Sequence, residues 1–305
     1  MRETKANEVY YLGIDHGNHL MKGANHIMEN GVEALETKPT FQTNTLVNEG
    51  KFYKVGENRR NVKDSKLEDN DYYLLTLVLM AKEAEIRGIP YGAHIVLGVG
   101  MPLKQFATVR KQFIKYLMRD RQPIHFRFED KAYEFYIDDV LAFPQCYAAV
   151  ADRLINMTQE SLIVDVGSWT IDIMVVRNGV PIESKCETFT ESMISVIQDI
   201  KSRTSELYGK EFFESKIMEY ISNPNAQIPD KYKKLMDDAF KRFANRVEGL
   251  LKENGHDTEF SDVIYVGGGA TVMKNYGKQS ANIHYIEDVR ANARGYEYLL
   301  RQIRA

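Results

Sequence analysis

The chain has 305 residues, 44% of them apolar and 27% charged, with a formal net charge of −3. That is enough for a sizeable core and for two domains or lobes, with the composition of a soluble globular protein. Near-neutral charge excludes a global field drawing it onto nucleic acid or an anionic membrane, and no apolar run reaches the roughly 20 residues of a bilayer span. No apolar signal core follows the first five residues, and Cys146 and Cys186 lack metal-site spacing, so the expectation is a cytoplasmic protein with reduced thiols.

In chain order, residues 9–14, 21–25, 32–38 and 52–55 read as strands, with Asn30-Gly31 as a turn. Residues 57–71 are highly charged, without apolar periodicity, and read as an exposed loop. Residues 72–87 have helical spacing and end at Gly88; 94–99 reads as a buried strand; Phe106, Val109, Phe113 and Leu117 mark one helix face. Strands follow at 124–128 and 133–137, and 140–143 runs into Pro144-Gln145 with a helix expected to about residue 156. The second half opens at Ser161. Its Asn178-Gly179 pair predicts a hairpin between 173–177 and 180–184. Helices are expected over 191–208, 210–220 and 231–254, a strand over 263–266 before Gly267-Gly268-Gly269, and a closing helix over 290–304. Strands that open each half and helices that follow are α/β architecture. The expected lobes are 1–157 and 158–305, connected by the helix around 145–156 and the C-terminal helix.

One pattern occurs twice. Residues 11–22 and 162–172 each read as an aliphatic strand ending in Asp-x-Gly, a tight polar turn and a second strand, with 150 residues between Asp15 and Asp165. A duplication at half-chain spacing predicts two similar halves facing each other across a cleft. Gly17 and Gly167 let the backbone turn tightly and aim N–H groups into one concavity, which favours phosphate. Asp15 and Asp165 repel phosphate directly; a carboxylate beside a phosphate site serves through Mg²⁺, which keeps several waters. Lys22 can place a point charge on the same phosphates. His16 and His19 flank Gly17 and Asn18; with no third ligand evident they read as loop residues near phosphate, not as a metal site.

Five motifs in order then resemble the actin-type ATPase fold. The first hairpin, with Asp15, Gly17, Asn18, His19 and Lys22, resembles the family's first phosphate loop, and Phe143-Pro144-Gln145 its first connecting motif. Residues 165–172, with Gly167, Ser168, Trp169, Thr170 and Asp172, resemble the second phosphate loop. Residues 263–269 are similar to the adenosine motif, and Ala291-Asn292-Ala293-Arg294-Gly295-Tyr296 to the second connecting motif. The resemblance covers nearly the whole chain. Within the superfamily the pattern Asp-x-Gly-x-x-Thr-x-Asp and the ending are most similar to the ParM/StbA group of plasmid-partition actins and their archaeal relatives.

The resemblance implies an actin-like, ribonuclease H-like duplicated, two-lobed ATPase fold with ATP or ADP and Mg²⁺ in the cleft. It implies Gln145 as the residue orienting the attacking water, with positioning rather than proton abstraction as its role. Asp15 and Asp165 become positioners of metal and water, and Gly267, Gly268 and Gly269 allow close approach to a nucleoside. Lys210 and Glu214 are placed to flank the adenine, beside their plainer reading as a helical i,i+4 ion pair. Trp169 stands where relatives have a small residue. The implied activity is ATP hydrolysis in a head-to-tail filament that segregates plasmid or other mobile DNA, with a DNA-binding adaptor of ParR type, no strong direct nucleic-acid binding and no membrane. The alternatives are a small-molecule kinase of the same superfold and a non-filamentous ATP-binding scaffold or regulator.

Overall fold

The computed structural model describes residues 8–57, 67, 69–119, 122–157, 160–256 and 258–304. The first half runs β1 (Val9–His16), β2 (Leu20–Gly23), β3 (Ile27–Glu29), β4 (Val32–Leu35), β5 (Thr45–Asn48), β6 (Lys51–Val55), α1 (Asp71–Arg87), β7 (Ala93–Met101), α2 (Leu103–Met118), β8 (Ile124–Phe128) and β9 (Lys131–Pro144). The second runs β10 (Glu160–Val166), β11 (Ile171–Arg177), β12 (Val180–Pro181), β13 (Glu187–Phe189), α3 (Met193–Tyr208), α4 (Glu214–Ser222), α5 (Asp230–Glu253), β14 (Asp262–Val266), α6 (Ala270–Tyr276) and β15 (Ile283–Tyr285), and α7 (Ala291–Arg304) ends the chain. The loop expected over 57–71 falls largely outside the described residues.

Two compact units result: Met1–Asp152 with Arg290–Ala305, and Arg153–Val289. The first is built on a nine-stranded sheet in the order β3-β2-β1-β7-β9-β8-β5-β6-β4. Its centre is parallel, β1 on β7 and β7 on β9, and its flanks are antiparallel hairpins. Parallel strands are covered on both faces, which explains the continuous apolar run of β7. Helix α1 is buried nearly all round, from Tyr72 to Ala81, and ends at Gly88 with φ 67°, the left-handed cap expected of that glycine. Helix α7 crosses β1 so closely that a Cβ on Gly13 would lie 1.9 Å from the Ala293 carbonyl oxygen, and one on Gly295 would lie 1.8 Å from that of Ala148. Only glycine lets these backbones meet.

The second unit carries the sheet β12-β11-β10-β14-β15, with β13 also paired to β11. The same sequence of pairings recurs: an antiparallel hairpin, β10 with β11, then β10 parallel to β14 and β14 parallel to β15. Asn178 and Gly179 take φ 51° and 75°, the turn that the Asn-Gly pair predicts, but the returning strand is only Val180–Pro181 and a 3-10 turn at Glu183–Lys185 replaces the strand expected to 184. Helix α5 buries Met236, Ala239, Phe240, Phe243, Ala244, Val247, Leu250 and Leu251, a stripe at three- and four-residue spacing that covers the sheet.

Three further expectations are corrected. The helix after Gln145 is not continuous: Cys146 takes φ 66°, and the segment proceeds through short 3-10 turns at Ala148–Val150 and Leu154–Asn156. A left-handed residue cannot propagate an α-helix, and Ala148 is pressed against Gly295 of α7. The strands read at 133–137 and 140–143 are one strand, β9, with an irregularity opposite Ile95 and Val96. The helix expected from Lys210 begins only at Glu214.

Candidate functional site

The two Asp-x-Gly hairpins fold alike. In the first, Asp15 lies opposite Lys22 and His16 opposite Met21; in the second, Asp165 lies opposite Asp172 and Val166 opposite Ile171. Adding 150 to each number of the first hairpin gives the second. Both turns span the same residues, Gly17 to Leu20 and Gly167 to Thr170, and Gly167 N–H donates to the Thr170 carbonyl over 2.9 Å.

Asp15 is 2% exposed. Its Oδ2 accepts from Lys22 Nζ at 2.8 Å and its Oδ1 from Gln145 Nε2 at 3.0 Å. Lysine supplies the charge that a buried carboxylate needs, and the carboxylate fixes the Gln145 amide. With Nε2 donating to Asp15, the Gln145 side-chain oxygen is the free acceptor of that amide. Gln145 itself is held because its N–H donates to the Met101 carbonyl at 3.0 Å, at the end of β7. The structure brings Asp15, Lys22 and Gln145 into one group.

The turn of the first loop is fastened from behind. Asn30 Nδ2 donates to the carbonyls of Gly17 (3.2 Å) and Asn18 (2.7 Å), and Tyr72 Oη donates to Asn18 Oδ1 (3.0 Å). Buried Glu83 accepts from Asn25 N–H, Asn25 Nδ2 and His26 N–H, closing the turn that places β3, and Asn30 after it, beside β2. His16 is fully buried, with Nε2 2.8 Å from Thr76 Oγ1 and its ring edge-on to Tyr72 and Phe113. It is a packed core residue. His19 is half-buried in the turn.

In the second unit Asp172 holds the hairpin together: Thr170 Oγ1 donates to its Oδ2 (3.1 Å) and Thr188 Oγ1 to its Oδ1 (2.5 Å). The Thr170 hydroxyl is therefore engaged within the hairpin. The carbonyls of Gly167 and Ser168 accept from Met193 and Ile194 N–H at 3.1 and 3.0 Å, the start of α3. Asp165, 8% exposed, lies against the glycine triplet: Gly267 has φ 82°, and a Cβ there would stand 2.2 Å from Asp165 Oδ1. Gly269 N–H donates to the Val166 carbonyl at 2.9 Å, so the triplet is bound to the end of β10, with Gly268 exposed between. Asp165, Gly167, Ser168, Trp169, Thr170 and the triplet are thus one neighbourhood, and Trp169 is half-buried in it.

Lys210 and Glu214 do not share a helix: Lys210 is exposed in the link after Gly209, and Glu214 opens α4 half-buried. Their i,i+4 pairing on one helix does not arise. Sequence reading missed the parts that Asn30, Thr188 and the first amides of α3 play in the two hairpins. Asn30 read only as a turn residue, and no local pattern ties it to a loop 12 residues earlier.

Hard oxygen donors are present for a divalent cation. Asp165 faces Asp172 across the ladder, where the first hairpin has an ion pair; like charges directly opposite are unfavourable, so a cation beside this rung would be favoured. Among the described residues no cluster of three or more His, Cys, Asp or Glu forms a protein cage. That donor set suits Mg²⁺, which takes one or two carboxylates and keeps its other positions for water and phosphate.

Residues 163–277 match the family model of the C-terminal domain of archaeal MreB-like actin homologues. Among curated proteins, no sequence matches the chain. Among solved structures the chain is similar to Ta0583, an archaeal actin homolog, with TM-score 0.77 and 18% identity over 96% of this chain and 99% of that one. The same homolog in complex with ADP gives TM-score 0.76 at 17% identity, over 96% and 99%. A 15-stranded ParM filament from Clostridium botulinum gives TM-score 0.72 at 18% identity, over 97% and 100%. No helix of the described residues is long and apolar enough to cross a membrane. Matched hairpins, matched sheets and near-complete structural coverage lead to one statement: the chain has the fold of the actin-like superfamily, with ParM-type proteins among its structural neighbours.

Proposed function

We propose that this chain is an ATP-hydrolysing actin-like protein that assembles into filaments. The observation that carries the reading is the duplicated hairpin: two turns in identical register, each beside a buried aspartate and each with its carbonyls fastened from behind. Carbonyls fastened on one side leave N–H groups on the other, the arrangement that receives phosphate. The ADP complex of the archaeal homolog supports a nucleotide, and the ParM filament supports self-association, which we propose is head to tail.

Hydrolysis is in-line: a water oxygen bonds to the γ-phosphorus, the bond from that phosphorus to the β–γ bridging oxygen breaks, and phosphate carries away the water's proton. Gln145 orients the water through its side-chain oxygen, because its amide nitrogen is committed to Asp15. Lys22 pairs with Asp15 and adds positive charge beside the first loop. Asp165 would hold Mg²⁺ through water at the second loop, and Asp15 would do the same at the first. When bound, Mg²⁺ offsets the charge that builds on the phosphates. Gly267, Gly268 and Gly269 give the nucleoside close backbone approach, and Lys210 and Glu214 flank the base.

The biological role we propose is movement of plasmid or other mobile DNA in the cytoplasm, through a DNA-binding adaptor of ParR type. Light scattering and pelleting with Mg-ATP, with Mg-ADP and without nucleotide test the core of this reading. Scattering should rise with Mg-ATP and decay as phosphate is released. A chain that stays monomeric with Mg-ATP at high concentration would sink the filament reading.

A further inference from the structure

The two loops have their carbonyls fastened at equivalent positions by unlike means. Gly167 and Ser168 carbonyls accept from backbone N–H groups at the start of α3; Gly17 and Asn18 carbonyls accept from one side-chain amide, Asn30 Nδ2. Asn30 is 1% exposed, and its own N–H donates to the His19 carbonyl at 3.2 Å. Its Oδ1 is buried with no hydrogen-bond partner among the described residues. The reverse amide orientation would set that oxygen against two carbonyl oxygens, so the chemistry fixes Nδ2 as the donor. An amide that leaves its acceptor unpaired and spends its donor on two loop carbonyls is at this position for the donor.

The consequence follows from peptide planarity. In a trans peptide the C=O and N–H point opposite ways. Holding the Gly17 carbonyl aims Asn18 N–H away from Asn30, and holding the Asn18 carbonyl aims His19 N–H away likewise. In the second loop the same logic aims Ser168 and Trp169 N–H away from α3. We infer that Asn30 is a positioning residue for phosphate binding, a single side chain doing for the first loop what a helix start does for the second. Asn30 does not touch the nucleotide; it presents the Asn18 and His19 amides to it. The inference rests on the nucleotide reading above, and the test separates the two.

Affinities for ATP, ADP and adenosine are measured by calorimetry for the wild type, Asn30→Ala and Asn30→Asp. Backbone amide resonances of Asn18 and His19 are followed by NMR as pyrophosphate is added. The expected result is a loss of about tenfold or more in ATP and ADP affinity in both variants, with adenosine binding unchanged, and pyrophosphate shifts at Asn18 and His19 in the wild type that vanish in the variants. A general structural defect would weaken adenosine equally. Folded variants that bind ATP as the wild type does overturn the role of Asn30 and leave the nucleotide reading intact. A wild type that binds no nucleotide overturns that reading instead, and the pyrophosphate titration then decides: shifts at both amides support the loop, and none overturn it. If neither variant folds, the wild-type titration decides on the same terms.

Discussion

The two hairpins share register, turn length and an aspartate at the same rung, and they differ in charge and in what supports them. The first pairs Asp15 with Lys22 within the hairpin; the second sets Asp165 opposite Asp172, whose oxygens are taken by two threonine hydroxyls. The first therefore balances its own charge within the hairpin, and on the reading proposed above the second would take an added cation. The two hairpins share the geometry of the turn and differ in the chemistry around it. Gln145 belongs to the self-balanced side, where a lysine-neutralised carboxylate can hold an amide without moving a proton.

The comparison can be broken or sharpened by substitution. The largest effect is expected from Gln145→Ala, which keeps Asp15 and Lys22 paired and removes the side-chain oxygen that the proposed mechanism uses to orient water. Phosphate release should fall by about 100-fold or more with ATP affinity within a few-fold; turnover near that of the wild type would remove Gln145 from the chemistry. Next is Lys22→Ala, which strips the cation from a buried carboxylate. Urea unfolding should show a loss of about 3 kcal/mol, and an unchanged midpoint would mean that Asp15 is neutralised by other means. The matching change in the second hairpin, Asp172→Asn, should cost under about 1 kcal/mol without metal, because both threonine hydroxyls can re-pair with the amide. It should also raise the Mg²⁺ concentration for half-maximal ATP turnover by about tenfold. An unaltered Mg²⁺ midpoint would contradict a cation requirement at that rung.

The smallest effect concerns support of the first hairpin from α7. Glu297 accepts from Gly13 N–H and pairs with Arg87, yet burial dominates and raises its carboxyl above the ordinary glutamate value, against the lowering by Arg87 and Gly13. A raised folded pKa contributes stability that is complete below the unfolded value of 4.5 and is lost as pH rises through the folded value. The melting temperature of Glu297→Gln relative to the wild type should accordingly climb as pH rises through that window. A difference that is flat with pH would show that the carboxyl titrates alike in the folded and unfolded chain.

Much of this was legible because it is local. Asp-x-Gly after an aliphatic run determines a strand and turn within a dozen residues, and Asn178-Gly179, Gly88 and Gly209 announce backbone conformations that few other residues adopt. What was missed is short or tertiary. Strands β3, β13 and β15 have three residues each and β5 four, too few to show a period. Helix α6, with seven residues, hides behind the glycine triplet that starts it. The segment after Gln145 is rich in alanine and reads as helix, but contact with α7 and the left-handed Cys146 override that propensity. Asn30 and Thr188 act through partners remote in sequence, which no window over the chain can reveal. Gln145 was singled out by its place before Asp165 and by the resemblance, whereas its hold on Asp15 exists only in three dimensions.

The unlike fastening of the two loops also sets their mutational tolerance. A donor that belongs to the backbone survives every substitution except proline, so at half-buried Ile194 the hold on Ser168 is nearly immune to coding change. A donor that belongs to one amide is lost with almost any codon change at position 30. In a saturation library scored for ATP-dependent assembly, most changes at position 30 should therefore weaken the first loop, while at positions 193 and 194 only proline should release the carbonyls of the second.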